Sequence, residues 1–200
     1  MANISRVNGF RPVKHLDGSP YNGQVNKYWV AAGDGTALFV GDIVKLSGTS
    51  DTDGNASVIQ VAAGNTPVGA VIAFEPNPAD LTQNYRPASQ NIAYQNAGRW
   101  VYVADAPDLI MEVEATKGSG SLLTVGSVGQ NFDLVVAAGS TTTGQSGMSL
   151  DNNTTNTTST LVFQLVGFVQ RPDNDLTLAS PKCLVRFNVH QYGSVGTAGI

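Results

Sequence analysis

The sequence predicts an all-β fold: a compact antiparallel β-barrel or sandwich with long polar loops and extended termini. Three observations predict it. Glycine is abundant, at 22 of 200 residues, and the chain is rich in Thr, Ser, Asn and Val. Only 13% of residues are charged, and Lys and Glu are few. That balance favours strands and turns over helices. Apolar residues also come in short runs opened by turn residues, the pattern of strands.

The organising stretch is Gly41-Asp-Ile-Val-Lys-Leu-Ser47, answered by Pro67-Val-Gly-Ala-Val-Ile-Ala-Phe74. In the first, Ile43 and Lys45 share one face and Val44 and Leu46 the other, so one face is partly wet. The second is nearly all apolar and reads as a strand buried on both faces. Between them lie the turn residues Gly48–Asn55 and a third strand, Ser57–Val61. A looser version recurs later. Val128-Gly-Gln-Asn-Phe-Asp-Leu-Val-Val136 leads through a polar loop to Leu161-Val-Phe-Gln-Leu-Val-Gly-Phe-Val169. Both copies start at Val-Gly and close on a strand with Val-Gly before an aromatic.

Taken in order, residues 1–24 are a string of turn signals without a periodic apolar face, and they read as an extended arm. Phe10, Arg11 and Tyr21 are its expected partner anchors, because aromatic and Arg side chains dominate interface energetics. Most of the local positive charge lies here or just after (Arg6, Arg11, Lys14, Lys27), which suits an acidic partner. Residues 25–190 form the β domain, as one core or as two lobes joined near 117–121. Its strands are expected at Lys27–Ala31, 43–46, 57–61, 67–74, Gly98–Val103, Leu109–Glu114, 132–138, 161–169 and 183–189. Glu75–Pro87 carries three prolines, so it is an irregular excursion, functional or flexible. Tyr85 and Arg86 are its expected contacts. Gly139–Thr160 is a low-complexity polar segment and is expected to be a long exposed loop, with Met148 and Leu150 pinning its middle. Residues 191–200 read as an extended tail, with Tyr192 as its contact.

Composition excludes several functions. A net charge of −4 with no Lys/Arg cluster leaves no footprint for nucleic acid or for an anionic membrane. No apolar run approaches a membrane span. The start, Met-Ala-Asn-Ile-Ser-Arg, lacks the apolar segment of a signal peptide, so synthesis in a cytoplasm is expected. The single cysteine, Cys183, is expected to fill space in a strand. Asp51-Thr-Asp-Gly-Asn55 resembles the opening of a calcium loop, but Ala62 stands where a bidentate Glu is needed, so it reads as a hairpin turn. Asp173-Asn-Asp175 is likewise a turn. His15 and His190 lie far apart with no ligand cluster. Glu112 and Glu114 share a strand face and read as a wet surface rather than a catalytic pair. No enzyme, metal or cofactor is therefore expected.

The opening Met1–His15, the segment Gly18–Gly23, the pair Val40-Gly-Asp-Ile-Val44 and Pro67-Val-Gly-Ala-Val71, and the close Val185–Tyr192 resemble head decoration (cement) proteins of tailed bacteriophages. The resemblance implies a barrel-like β fold, a homotrimer, and docking on the major capsid protein lattice. The protein would then sit on the outside of the virion capsid after synthesis in a bacterial host. The alternative is a receptor- or glycan-binding module of a tail fibre or baseplate. In that reading Trp29, Tyr85, Tyr94 and Trp100 would form the sugar platform.

Overall fold

The computed structural model describes residues 3–116, 123–176, 178–193, 195–196 and 198–199. The expected joint at 117–121 lies outside them. The described strands are β1 (Arg11–His15), β2 (Asn26–Ala31), β3 (Ile43–Ser50), β4 (Ala56–Gln60), β5 (Gly69–Phe74), β6 (Gly98–Ala104), β7 (Leu109–Thr116), β8 (Asn131–Val135), β9 (Ser149–Asn156), β10 (Phe163–Phe168) and β11 (Lys182–Phe187). Helix among the described residues amounts to two 3-10 turns, Ala93–Gln95 and Val125–Ser127. No described helix is long and apolar enough to cross a membrane. The fold is all-β, with two sheets packed together, as the sequence predicts.

One sheet closes into a barrel in the order β2-β4-β3-β5-β6. The other runs β1-β7-β11-β10-β8-β9, and a further β7–β9 pairing closes its strands other than β1 into a ring. The two rings have the same topology. In each, the first strand pairs parallel with the third, at Trp29↔Ser57 and at Ala115↔Leu150. The other pairings within each ring are antiparallel, and their registers match. Leu46↔Val58 corresponds to Leu134↔Leu150, Val44↔Gly69 to Phe132↔Phe163, and Tyr28↔Val101 to Val113↔Cys183. Even the irregularity recurs: β5 slips against β6 between Val71 and Ala73, and β10 slips against β11 between Leu165 and Gly167. The Gly41 N–H donates to Val71 O and the Val71 N–H to Asp42 O (both 2.8 Å). The Gly129 N–H donates to Leu165 O (2.8 Å) and the Leu165 N–H to Gln130 O (3.0 Å).

The chain is thus an internal duplication of one barrel, about residues 26–104 and 109–187. The registers superpose the apolar interiors as well: Tyr28, Val30, Val44, Val58, Val71, Val101 and Val103 match Val113, Ala115, Phe132, Leu150, Leu165, Cys183 and Val185. The Val40-Gly and Val128-Gly echo in the sequence is real in space. The second Val-Gly match is not, because Gly69 corresponds to Phe163 and Ala73 to Gly167.

The barrels share a wall. On β3, Ile43 faces the larger core cluster and Val44 the interior of the first barrel. On β5, Ala70 and Val71 divide in the same way. Alternate side chains of one strand pair therefore serve two cores, which is possible only because strand side chains alternate faces. Phe10 joins the larger cluster, fully buried, with its ring stacked on Phe163 at 4.5 Å and its N–H donating to Gly41 O (2.9 Å). The close approach there needs glycine at both sites. Gly9 (φ +70) and Gly41 (φ +93) leave no room for a Cβ, which would lie 2.4 Å from Gly41 O and 2.5 Å from Asn8 O respectively.

Three expectations are corrected. The arm of residues 1–24 is not free of regular structure, because β1 pairs antiparallel with β7 and covers its edge. The polar segment 139–160 is not one exposed loop. Residues 149–156 of it form β9, and Met148 and Leu150 are fully buried. Thr and Asn alternate too weakly with apolar residues there for a strand to be read. The face carrying Glu114 is not wet, because residues 3–6 lie across it and leave the residue 3% exposed. The tail also begins docked, with the Gln191 N–H on Pro67 O (2.9 Å) and the Leu46 N–H on Gln191 Oε1 (2.7 Å).

The shared wall predicts one cooperative unfolding transition in calorimetry, not two. Phe10→Ala should lower stability by about 3–5 kcal/mol and shift that whole transition. Two separated peaks would show that the barrels are independent. A second prediction concerns Asp42, which is fully buried at the start of the wall. Burial pushes its carboxyl up to about 6, against hydrogen bonds from Ser146, the Phe39 N–H and the Gln60 amide. Between the unfolded value and that folded value, the native state holds a proton that the unfolded chain has released. Stability contributed here therefore falls as pH rises through this window and stays lower above it. Asp42→Asn should gain on the order of 2 kcal/mol over wild type at about pH 8 and nothing at about pH 4, read from thermal unfolding of both proteins. A pH-independent difference would rule this out.

Candidate interaction site

The residues expected to meet a partner do not all reach the surface. Phe10 is a core residue of this chain and cannot anchor a partner without unfolding the seam. Arg86 is fully buried as well. Its guanidinium donates to Ala31 O (2.7 Å), Thr36 O (2.7 Å) and Asp34 O (3.0 Å), so it fastens the loop to the first barrel. Both expectations fail for one reason: sequence pattern does not tell an exposed aromatic or Arg from one that fills the chain's own interior. Tyr85 is half-buried and stacks on Phe39, with centroids 5.1 Å apart. Tyr192 is 54% exposed, and its N–H donates to His190 Nδ1 (3.1 Å).

Arg11 and Tyr21 do come together. With Pro12, Val40, Ile72 and Gln145 they line a groove of about 260 Å³ at the seam between the barrels, floored by Phe10. Burial raises the Tyr21 hydroxyl pKa, so the side chain acts there as a neutral hydrogen-bonding group.

The larger feature, missed from sequence, is a cleft of about 380 Å³ on the outer face of the second barrel. Asn3, Ile4, Arg6 and Asn8 form one wall, and Glu112, Glu114, Arg171 and Lys182 the other. Strand alternation puts Glu112 and Glu114 on that face, and β11 puts Lys182 opposite Glu114. Glu114 fastens the N-terminal segment. It accepts from Lys182 Nζ, from Ser5 Oγ (2.7 Å) and from the Arg6 N–H (2.7 Å). Burial works against its charge, but these donors outweigh it and hold the carboxyl below its ordinary value. Glu112 pairs separately with Arg171 (2.8 Å). Among the described residues, neither Arg6 nor Arg11 has a carboxylate partner.

The remaining motifs have structural explanations. Asp51 accepts from the Asp53 N–H (3.0 Å), the Asn55 N–H (2.7 Å) and the amides of Asn55 and Asn96 (3.0 and 2.7 Å). Its oxygens face N–H donors, and the segment is the β3–β4 hairpin turn. His190 is 3% exposed. Its Nε2 lies 2.6 Å from Val68 O, and its Nδ1 accepts the Tyr192 N–H, which together specify the neutral Nε2–H tautomer. Burial lowers its pKa. His15 meets Asp108 (3.1 Å). Trp29, Tyr94 and Trp100 gather around Gln95, but Tyr85 is on Phe39, and Trp100 is 9% exposed under Lys27. No group of three or more His, Cys, Asp or Glu suited to a metal ion occurs among the described residues.

No protein-family profile, curated protein or solved structure matches this chain.

Glu114→Gln should release residues 3–8 while leaving both barrels intact. We expect faster trypsin cleavage after Arg6, an unchanged far-ultraviolet spectrum and a stability loss of about 1–3 kcal/mol. Cleavage at the wild-type rate would show that Glu114 does not hold the segment.

Proposed function

We propose that the protein is a structural virion component that binds the outer surface of a tailed-phage capsid and stabilises its lattice. The observation that carries this reading, beside the resemblance, is the strap of residues 3–8. It crosses the second barrel held by polar contacts, with Arg6 and Arg11 exposed on the cleft, without a carboxylate partner among the described residues, and Arg11 also lining the seam groove. A cement needs a stiff body that does not deform when bound at many sites, and two barrels with one wall in common supply it. It also needs surface features that engage a repeating acidic lattice, and the two arginines with Tyr21 provide them. Binding only to the assembled shell would stabilise that shell by mass action. Self-association into a homotrimer belongs to the same proposal, as does contact with the major capsid protein.

The test is co-sedimentation of purified protein with cognate heads before and after shell expansion. Saturable, high-copy binding to expanded heads is the expected result. The double variant Arg6→Glu/Arg11→Glu should weaken binding by roughly tenfold or more and flatten its salt dependence, with stability unchanged. No binding of wild type to either form of the head would defeat the proposal and favour the glycan-binding alternative.

A further inference from the structure

The duplication supplies an internal control on the outer faces of the barrels. By register, Glu114 and Lys182 stand where Trp29 and Trp100 stand in the first barrel, and Glu112 stands where Lys27 does. In the first barrel that face is closed by the turn at Gln95, whose carbonyl accepts the Trp29 Nε1–H (3.1 Å). Lys27 lies over Trp100 and beside Glu75 (3.8 Å). The barrel therefore closes without an ionic outer face, and the charged cleft on the second barrel is a separate feature.

The cations of the chain are unevenly engaged. Among the described residues, the lysines and arginines beyond the N-terminal segment all have partners. Lys45 donates to Asn65, Arg186 to Gln164, and Arg86 and Arg99 to loop carbonyls. Lys27, Arg171 and Lys182 meet carboxylates. The charged groups of Arg6, Arg11 and Lys14 make no hydrogen bond, ion pair or ring contact among the described residues. Of these three, Arg6 and Arg11 open on the same cleft and Lys14 does not.

Each of the two arginines has a carboxylate in register that another cation has taken. The Arg6 N–H donates to Glu114 Oε2 (2.7 Å), which fixes the backbone there, but Lys182 Nζ neutralises that carboxylate. Arg11 stands directly across the β1–β7 ladder from Glu112, and Glu112 pairs with Arg171 (2.8 Å). Asn8, half-buried on the same wall, brings an amide that no hydrogen bond among the described residues engages. Two guanidinium groups on anchored backbone leave only side-chain rotamers to be ordered on binding. Each can grip a carboxylate through two parallel hydrogen bonds. Glu112, Glu114 and Asp173 also line the cleft, and their charge repels a dianion such as phosphate more strongly than a carboxylate.

We propose that this cleft is a carboxylate-binding site that takes the acidic side chains of an extended protein segment, with Arg6 and Arg11 as the clamp and Asn8 as a further donor. It rests on the capsid-binding reading above for the identity of the partner, an Asp- or Glu-bearing segment of the capsid lattice, and on the cleft alone for its chemistry. The test therefore uses no capsid. Isotope-labelled protein is titrated with acetylated, amidated tetraglutamate at low ionic strength, and in parallel with tetraglutamine and with inorganic phosphate. The Arg6 and Arg11 Nε–H signals should shift saturably with tetraglutamate and stay in place with tetraglutamine. Phosphate should bind more weakly than the peptide. Arg6→Gln and Arg11→Gln should each weaken peptide binding by roughly fivefold, and Lys14→Gln should stay within about twofold of wild type. Unfolding of the three variants should superpose on wild type, since the charged groups removed hold nothing in the fold. Absent or non-saturating shifts would overturn the site. Phosphate binding as tight as the peptide's would overturn carboxylate recognition. A loss in Lys14→Gln equal to that in the arginine variants would reduce the effect to diffuse surface charge and overturn the clamp. If the peptide binds and heads do not, the site stands and the capsid reading falls. If heads bind through Arg6 and Arg11 while the peptide does not bind, the capsid reading stands and the site falls.

Discussion

The structure depends on one strand pair whose two faces are both apolar. Ile43 and Ala70 face one core while their neighbours Val44 and Val71 face another. A sheet with one wet face ends a domain; a sheet with two dry faces must be covered on both. The first barrel therefore cannot exist with this wall exposed, and the second barrel's cluster is completed by it. Phe10, Val61 and Met148 belong to the same seam, and the Ile43 N–H is directed at Met148 Sδ (3.2 Å). The glycine contact between residues 9 and 41 follows from the need to bring a third segment against this wall.

The two rings differ at the face that meets a neighbour. The registers place Asn131 and Gln164 of the second barrel where Ile43 and Ala70 stand in the first. Asn131 donates to Thr158 O (3.0 Å), and Gln164 accepts from Arg186 Nε (2.9 Å). A polar pair hydrogen-bonded within its own barrel offers no apolar wall to a further copy. Two barrels with the same strand order thus differ in the few side chains that decide whether a face is buried against a neighbour.

Buried charge is used for placement. Glu114 costs desolvation and recovers it from three donors, all of which belong to the N-terminal segment or to the neighbouring strand. Arg86 recovers its cost from carbonyls of Ala31, Asp34 and Thr36, and Arg99 from Glu75 O and the amide oxygens of Gln83 and Gln90. In each case one ionised group collects hydrogen bonds from chain segments that have no apolar reason to meet. Irregular backbone is held in this way where no ladder can hold it.

The sequence by itself determined the class of fold and most of the strands. Alternation is a local property, and Trp100, Tyr102 and Ala104 opposite Val101 and Val103 is legible without any knowledge of a partner. The polar turns, the scarcity of helix among the described residues and the partial echo at Val40-Gly and Val128-Gly were legible for the same reason. What only the tertiary structure decided is which strand meets which and which side chains lose water. Phe10 and Arg86 read as surface anchors and are interior. Glu114 reads as wet and is a buried clasp, and the Thr/Asn run 149–156 reads as loop and is a strand in the second ring. The reason is physical. Burial is set by contacts between residues distant in the chain, such as Ser5 with Glu114 or Phe10 with Phe163, and the local pattern at either residue carries no record of the other.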